Sequence, residues 1–186
     1  MEGYRSSWNR VQKSELARFE QTVLPHLDAA YNLARWLTGT VHDAEDVVQE
    51  SYLRAVKFFS GFHGENARPW LLAIVRNTCY TWLRRNRMDD QSVELGETVQ
   101  VADTQSASPE AVLLAASRRE LVRQAVEALP VDFREVIVLR ELEGMSYKEI
   151  AEIAGVPIGT IMSRLARARA RLQKLLSELD LTEAHA

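Results

Sequence analysis

Apolar positions recur at steps of three and four residues along most of this chain, which is the spacing of amphipathic helices packed on a core. The first stripe, over residues 16–37, is closed by Gly39, and a second stripe occupies residues 40–59. A third helix opens at Pro69 and ends among the arginines of residues 84–87. The predicted buried positions of the first two helices are Leu16, Phe19, Val23, Leu27, Ala30, Ala34 and Leu37, then Ala44, Val47, Val48, Ser51, Ala55 and Phe58.

A polar segment separates this part of the chain from a second helical lobe. Residues 89–109 hold five acidic residues and no basic one, so the segment cannot bury much apolar surface and is expected to be flexible. Ser108, Pro109 and Glu110 then supply an N-cap, a first-turn proline and an acid near the positive helix end. We predict an all-α chain of two small domains, residues 1–88 and 110–186, joined by an acidic linker at residues 89–109.

The second lobe is predicted to contain four helices and to end in a helix-turn-helix. Its first helix carries apolar positions from 114 to 129, and its second runs from about residue 132 to a stop at Gly144. Ser146 and Glu149 fit a capping box, in which each side chain accepts a hydrogen bond from a free backbone amide at the helix start. Gly155 supplies the turn, and Pro157 opens the last helix at a first-turn position.

The last helix sorts its residues onto two faces. Residues 155–175 contain no acid, so the basic groups of this helix have no partner within it, and DNA phosphates are their natural complement. A solvated charged face is the alternative for any basic helix, but the capping box and glycine turn favour DNA binding. Ile158, Ile161, Leu165, Ala168, Leu172 and Leu175 are predicted to face the core, and Thr160, Ser163, Arg164, Arg167, Arg171 and Lys174 to face outward.

A second basic face is predicted on the third helix. Residues 67–88 hold five arginines and no acid, together with Trp70 and Trp82. Aromatic rings beside arginines suit stacking on exposed bases and binding of phosphates, whereas core packing is the alternative for each ring.

Composition restricts the possible functions. The 186 residues carry a net charge of only −3, so nucleic-acid contacts must come from local basic faces. The single cysteine, Cys79, allows no internal disulfide and is expected as a semi-buried helical thiol. Four scattered histidines and the lack of a nucleophile motif or phosphate loop indicate no catalytic residue, metal or cofactor. No membrane-spanning run or signal-peptide core occurs, so a cytoplasmic protein is expected.

Three sequence signatures resemble those of bacterial RNA polymerase sigma factors of the extracytoplasmic-function (ECF) type, the minimal branch of the sigma-70 family. They are DAEDVVQE at residues 43–50, PWLLAIVRN at residues 69–77, and YKEIAEIAG at residues 147–155, which runs into GTIMSRLARAR at residues 159–169. The three signatures occur in this order, with the acidic segment between the second and the third, and the resemblance covers about four fifths of the chain. The resemblance implies the two conserved domains of the family, sigma-two and sigma-four, and a role in transcription initiation.

The resemblance also implies partners and site residues. Core RNA polymerase would be bound through the clamp helices of its largest subunit and its flap, and promoter DNA through the −10 and −35 elements. An anti-sigma factor is an expected further partner, and the linker is expected near the RNA exit or template channel. The residues implied are Asp46, Gln49, Glu50 and Leu53 for polymerase; Phe62, His63, Gly64, Glu65, Trp70, Asn77, Arg84, Arg85 and Arg87 for the −10 element; and Thr160, Ser163, Arg164, Arg167 and Arg171 for the −35 element.

Two other classes of protein remain as alternatives. A stand-alone helix-turn-helix regulator accounts for residues 146–174, but it gives no reason for the outward acidic face near Asp46 or the arginine-rich helix that follows. A structural adaptor built of helical hairpins is the other alternative, and polymerase-dependent transcription would separate it from a sigma factor.

Overall fold

The computed structural model describes residues 15–64, 66–89 and 109–183, with side chains for all of these except 87–89, 109–117 and 179–183. Every regular element in this part of the chain is helical, which confirms the predicted all-α class. The N-terminal lobe consists of α1 (residues 15–23), α2 (Leu27–Thr38), α3 (Val41–Phe58) and α4 (Ala67–Asp89). The C-terminal lobe consists of α5 (Pro109–Glu127), α6 (Val131–Ile137), α7 (Tyr147–Ala154) and α8 (Ile158–Glu183). Residues 90–108, most of the predicted linker, lie outside the described residues.

Two details of the predicted N-terminal helices are wrong. The first stripe is not one helix, because a 3₁₀ turn at Leu24–His26 separates α1 from α2. Pro25 lies in that turn, where its missing amide and fixed ring are tolerated, unlike in a helix interior. Leu27, which directly follows the turn, is exposed against the prediction, and so is Leu16 at the start of α1.

The second error concerns the end of α3. Phe58 was expected in the core, yet its side chain is 57% exposed and the next residue, Phe59, is buried. The α-helix stops at Phe58 and tightens into a 3₁₀ turn at Phe59–Gly61. Because 3₁₀ geometry advances the chain by more degrees per residue, the helical period fails there and Phe59 takes the inward position.

The C-terminal lobe is extended by a π-helical turn at Val138–Leu142, after which Gly144 adopts a positive φ of 65°. The predicted stop at Gly144 is therefore confirmed. Leu121, Ala125 and Leu129 are buried as predicted, and so are Ile161, Leu165 and Ala168 of α8. Ile158, by contrast, is largely exposed at the start of α8, so its predicted core position is wrong.

The two lobes pack directly on each other. Helix α4 lies against α7, helix α2 lies against α6, and the buried apolar residues of both lobes form one continuous cluster. Arg134 of α6 crosses this boundary, since its guanidinium donates to the carbonyl of Trp36 at 2.9 Å and to the carbonyls of Glu127 and Leu129. Within the described residues, no helix combines the length and the apolar character needed to cross a bilayer.

Candidate polymerase-binding and nucleic-acid-binding surfaces

The outward face of α3 carries the first group of predicted site residues. Thr40 caps the helix by accepting a hydrogen bond from the amide of Asp43 at 3.1 Å, which fixes where the helix starts and so which residues point outward. Asp46 and Gln49 are exposed, and Leu53 is 69% exposed. Glu50 is half-exposed and forms an ion pair with Arg54 one turn later, at 2.5 Å. These positions form an acidic surface with an unburied leucine in it.

The loop before α4 is organised around an aromatic cluster. The Phe62 ring lies 6.0 Å from Phe59 and 4.9 Å from Trp70, centroid to centroid, and is only 7% exposed. A Cβ added to Gly64 would lie 3.0 Å from the Phe62 ring, so a side chain there would require that ring to shift by a few tenths of an ångström. His63 is exposed.

Because the Phe62 ring is buried, it is not accessible to DNA in this structure, contrary to the expectation. Its ring belongs to the core, and its carbonyl accepts a hydrogen bond from Arg18 at 3.1 Å. Trp70 is half-buried against the same cluster, as the core-packing alternative for this ring requires. Glu65 lies outside the described residues.

Asn77 is exposed on α4, and its surroundings are polar. Its Oδ1 accepts a hydrogen bond from Arg76 Nη1 at 3.2 Å. Arg84 and Arg85 are exposed further along the helix, while Arg87 lies in the helix with its side chain outside the described set. Asn77 and the two arginines thus share one helix, with the amide nearer to the aromatic cluster.

The helix-turn-helix forms as predicted. Ser146 Oγ accepts from the amide of Glu149 at 3.2 Å, and Glu149 accepts from the amide of Ser146 at 2.8 Å, which completes the capping box. The hydrogen bond from the Ser146 amide lowers the pKa of Glu149. Gly155 ends α7 with a φ of 66°, a left-handed conformation that glycine adopts without strain.

The side chains of α8 differ in their availability. Ser163, Arg167 and Arg171 are exposed, whereas Thr160 is half-exposed. Arg164 is unlike the others, since its side chain is only 21% exposed and its Nη2 lies 3.8 Å from Asp132. Its Nη1 is buried without a hydrogen-bond partner, so this guanidinium faces its own lobe and not solvent.

Sequence reasoning missed the polar contacts between the lobes. Arg68 pairs with Glu143 at 2.5 Å, and Arg76 pairs with the fully buried Glu135 at 2.7 Å. The Tyr80 hydroxyl also donates to Glu135, at 2.5 Å. The sequence did contain a signal for this contact. A carboxylate begins the apolar run at residues 135–139, and a buried acid requires a partner. The arginines of α4 have no acid near them in sequence, so they were candidates for that partner.

The pKa values of this contact follow from burial and from the buried acid. Burial alone would lower the pKa of Arg76, but the hydrogen bond to Glu135 and its negative charge outweigh burial and raise it. Burial and the same carboxylate raise the pKa of the Tyr80 hydroxyl. Tyr80 therefore keeps its proton throughout the physiological pH range and acts as a hydrogen-bond donor to the acids of α6.

Both halves of the chain match known protein families. Residues 22–88 match the family described as Sigma-70 region 2, and residues 119–172 match the family described as Sigma-70, region 4. The chain is 34% identical, over 178 residues, to the ECF RNA polymerase sigma-E factor of Salmonella typhimurium, covering 91% of this chain and 92% of that protein. It is 32% identical to the RNA polymerase sigma-H factor of Pseudomonas aeruginosa, with the same coverage.

Two solved structures are similar over most of the chain. One is the sigma factor RpoE in complex with the anti-sigma factor NepR from Bartonella quintana, with a TM-score of 0.69, 35% identity, and coverage of 86% of this chain and 97% of that chain. The other is CnrH in complex with the cytosolic domain of CnrY, with a TM-score of 0.61, 28% identity, and coverage of 86% and 88%.

Proposed function

This chain belongs to the ECF branch of the sigma-70 family of RNA polymerase sigma factors, and we propose that it starts transcription through three separate surfaces on α3, α4 and α8. It is a transcription initiation factor, and its proposed mode of action needs binding energy and no covalent chemistry. The observation that carries the proposal is the exposure of distinct acidic and basic helix faces on the two matched regions.

The exposed face of α3 is the proposed contact with core RNA polymerase. Asp46, Gln49, Glu50 and Leu53 recur at helical spacing along one stripe of that helix. Carboxylates at an interface accelerate association with a basic partner, and a buried leucine at its centre supplies affinity. The clamp helices of the largest polymerase subunit are the proposed partner of this stripe, and the polymerase flap is the proposed partner of the C-terminal lobe.

The −10 element is assigned to α4 and the loop before it. Asn77 can both donate to and accept from a base edge, so it is the proposed reader of an unpaired base. His63 and Gly64 would line the same pocket, with Phe62 and Trp70 supporting it from the core. Backbone phosphates are assigned to Arg84, Arg85 and Arg87.

The −35 element is assigned to α8, which would enter the major groove as the second helix of a helix-turn-helix. Ser163 and Arg167 are exposed and able to reach base edges, and Arg171 is placed for a phosphate. Thr160 and Arg164 complete the proposed set, although Arg164 must first leave Asp132.

Two weak contacts on separate lobes of one chain strengthen each other, because the second forms without a further loss of translational freedom. Unpairing of the −10 element is then favoured by the stacking and hydrogen bonds that an extruded base gains. We propose that the protein acts in the bacterial cytoplasm and at the nucleoid when bound to polymerase. An anti-sigma factor is a further proposed partner, supported by the similarity to sigma factors solved with such proteins.

The test is transcription of genomic DNA by purified core polymerase plus this protein, with mapped start sites. We expect start sites that share a pair of upstream elements. The variant Asp46→Arg/Glu50→Arg should lose core binding while retaining its helical content, since it brings like charges together at the interface. The double reversal Glu20→Arg/Asp28→Arg, on exposed positions of α1 and α2, is the matched control and should transcribe normally. Unchanged core affinity of the α3 variant would place the polymerase contact elsewhere.

A further inference from the structure

The start of α8 exposes an apolar side chain that has no role in the surfaces proposed for polymerase and promoter DNA. Met162 is 54% exposed, and Ile158, the first residue of α8 and one helical turn before it, is 49% exposed. Single apolar side chains are common on protein surfaces, but these two lie together on the second helix of a helix-turn-helix. The N-terminal residues of such a helix are the ones that contact base edges in the major groove. Met162 therefore lies where a base contact is expected.

The side chains next to Met162 leave it open to a partner. Ser163 and Ala166 are exposed and too short to cover it, and Arg167 lies on the far side of Ser163. The Arg167 guanidinium is directed away from the thioether, since its Nε donates to the Ser163 carbonyl at 3.3 Å and its Cζ lies 5.9 Å from the centre of the Phe133 ring. The outward face of this turn thus has a thioether on one side and a guanidinium on the other.

The charge around Met162 indicates the class of partner. Residues 155–175 contain no acid, and Arg167 and Arg171 are exposed, so an anionic surface is the complement of this face of α8. A thioether is uncharged and only a weak hydrogen-bond acceptor, so it gains little from phosphates. The major groove of DNA presents one apolar group on its base edges, the 5-methyl group of thymine. Contact between that methyl group and the thioether removes both from water, which is favourable.

We propose that Met162 is a further specificity-determining residue of α8, which packs on the 5-methyl group of a thymine in the −35 element. The inference rests on the proposed assignment of α8 to that element. It adds an apolar contact to the polar residues already assigned there, and this contact selects one base, because thymine alone carries a methyl group in the major groove. The −35 elements that this protein prefers should therefore share a thymine at one fixed position.

The test removes the methyl group from the DNA and the thioether from the protein, separately and together. The probe is a duplex promoter fragment from the mapped start sites, in which each thymine of the −35 element in turn is replaced by deoxyuridine. Deoxyuridine lacks the methyl group but still pairs with adenine. Binding is measured with core polymerase plus the full-length protein, as the parent, Met162→Ala or Met162→Leu, and helical content is measured on the same samples. Val122→Ala is the matched control, since Val122 is 47% exposed on α5 of the same lobe.

We expect deoxyuridine at one position to weaken binding of the parent about fourfold, the effect of burying one methyl group. Met162→Ala should lose about as much on the thymine fragment, and deoxyuridine at that position should then cause no further loss, because both changes remove the same contact. Met162→Leu conserves the volume of the side chain, so it should keep most of the preference for thymine. Val122→Ala should respond to deoxyuridine as the parent does.

A folded Met162→Ala protein that remains as sensitive to deoxyuridine as the parent would overturn the proposal. Start sites whose −35 elements share no thymine on either strand would do the same. If Met162 contacts polymerase instead, Met162→Ala weakens binding equally on thymine and deoxyuridine fragments, which also overturns the base contact. Failure of the proposed function gives a different result, because the parent itself then shows no promoter-specific transcription with core polymerase, and the inference falls with it.

Discussion

Truncation of Leu53 separates binding from folding more cleanly than any other change on α3. The side chain is 69% exposed, so Leu53→Ala removes little buried surface from the folded protein, and its free energy of unfolding should change by no more than about 0.5 kcal/mol. If polymerase covers the leucine, the lost methyl and methylene groups should cost about 2 kcal/mol of binding free energy, or ~30-fold in affinity.

The assay is titration of fluorescent protein with core polymerase, with urea unfolding measured on the same samples. Leu142→Ala provides the control, since Leu142 is similarly exposed but lies in the C-terminal lobe on the π-helical turn. A Leu53→Ala protein that binds core polymerase as tightly as the parent would refute burial of this residue at the interface. A large loss of stability would instead show that the exposed leucine supports the fold.

Four further outcomes follow from the sites. Asn77→Ala should retain core binding but lose strand opening, with only partial recovery on premelted DNA; normal permanganate reactivity of promoter thymines would make this residue structural. Arg167→Ala should cost about 1–3 kcal/mol of promoter binding and relax preference at one base pair of the −35 element, whereas equal weakening on all promoters in binding titrations would indicate a phosphate contact. Ser146→Ala should lower the free energy of unfolding by about 1 kcal/mol near neutral pH. The Ser146 amide, which the alanine variant keeps, and the Ser146 side chain, which it shortens, both lower the pKa of Glu149 on folding, so the difference in urea midpoints between variant and parent should shrink only in part as pH falls below the usual Glu pKa; a difference that vanishes there would contradict the cap itself. Burial raises the pKa of the Cys79 thiol to about 12, so disulfide exchange with a chromogenic reagent at pH 8 should be slow until the protein unfolds, and rapid labelling of the native protein would show that α4 opens.

The helix boundaries of the C-terminal lobe could be predicted from the sequence because they depend on local chemistry. The capping box at Ser146, the left-handed Gly155 and the stop at Gly144 each depend on residues within a few positions of one another. Such signals are contained in the sequence itself, so they survive without knowledge of the tertiary contacts.

The errors arose where a regular period was extended past a change of helix type. Phe59 is buried and Phe58 exposed, the reverse of the prediction for Phe58, because the chain tightens into a 3₁₀ turn at the end of α3. Pro25 likewise interrupts a stripe whose apolar spacing looks continuous in the sequence. Hydrophobic periodicity reports the average turn angle of a segment and is insensitive to one tight turn.

The contact between the lobes depends on information that apolar spacing does not contain. The partners Arg76 and Glu135 are 59 residues apart, and the arginine looks solvent-facing when its helix is considered alone. The orientation of Arg164 has the same origin, because its neighbour Asp132 comes from a different helix. Which polar faces meet is decided by how whole helices pack.

The guanidinium of Arg134 shows how narrow the choice of residue can be at such a boundary. It donates hydrogen bonds to the carbonyls of Trp36, near the end of α2, and of Glu127 and Leu129, at the end of α5. None of these acceptors is a carboxylate. A flat group with several divergent N–H bonds can reach acceptors on both sides, whereas the ammonium of lysine offers its donors from one point. The contact at position 134 therefore depends more on the shape of the side chain than on its charge. A lysine there would leave a helix-end carbonyl without its donor.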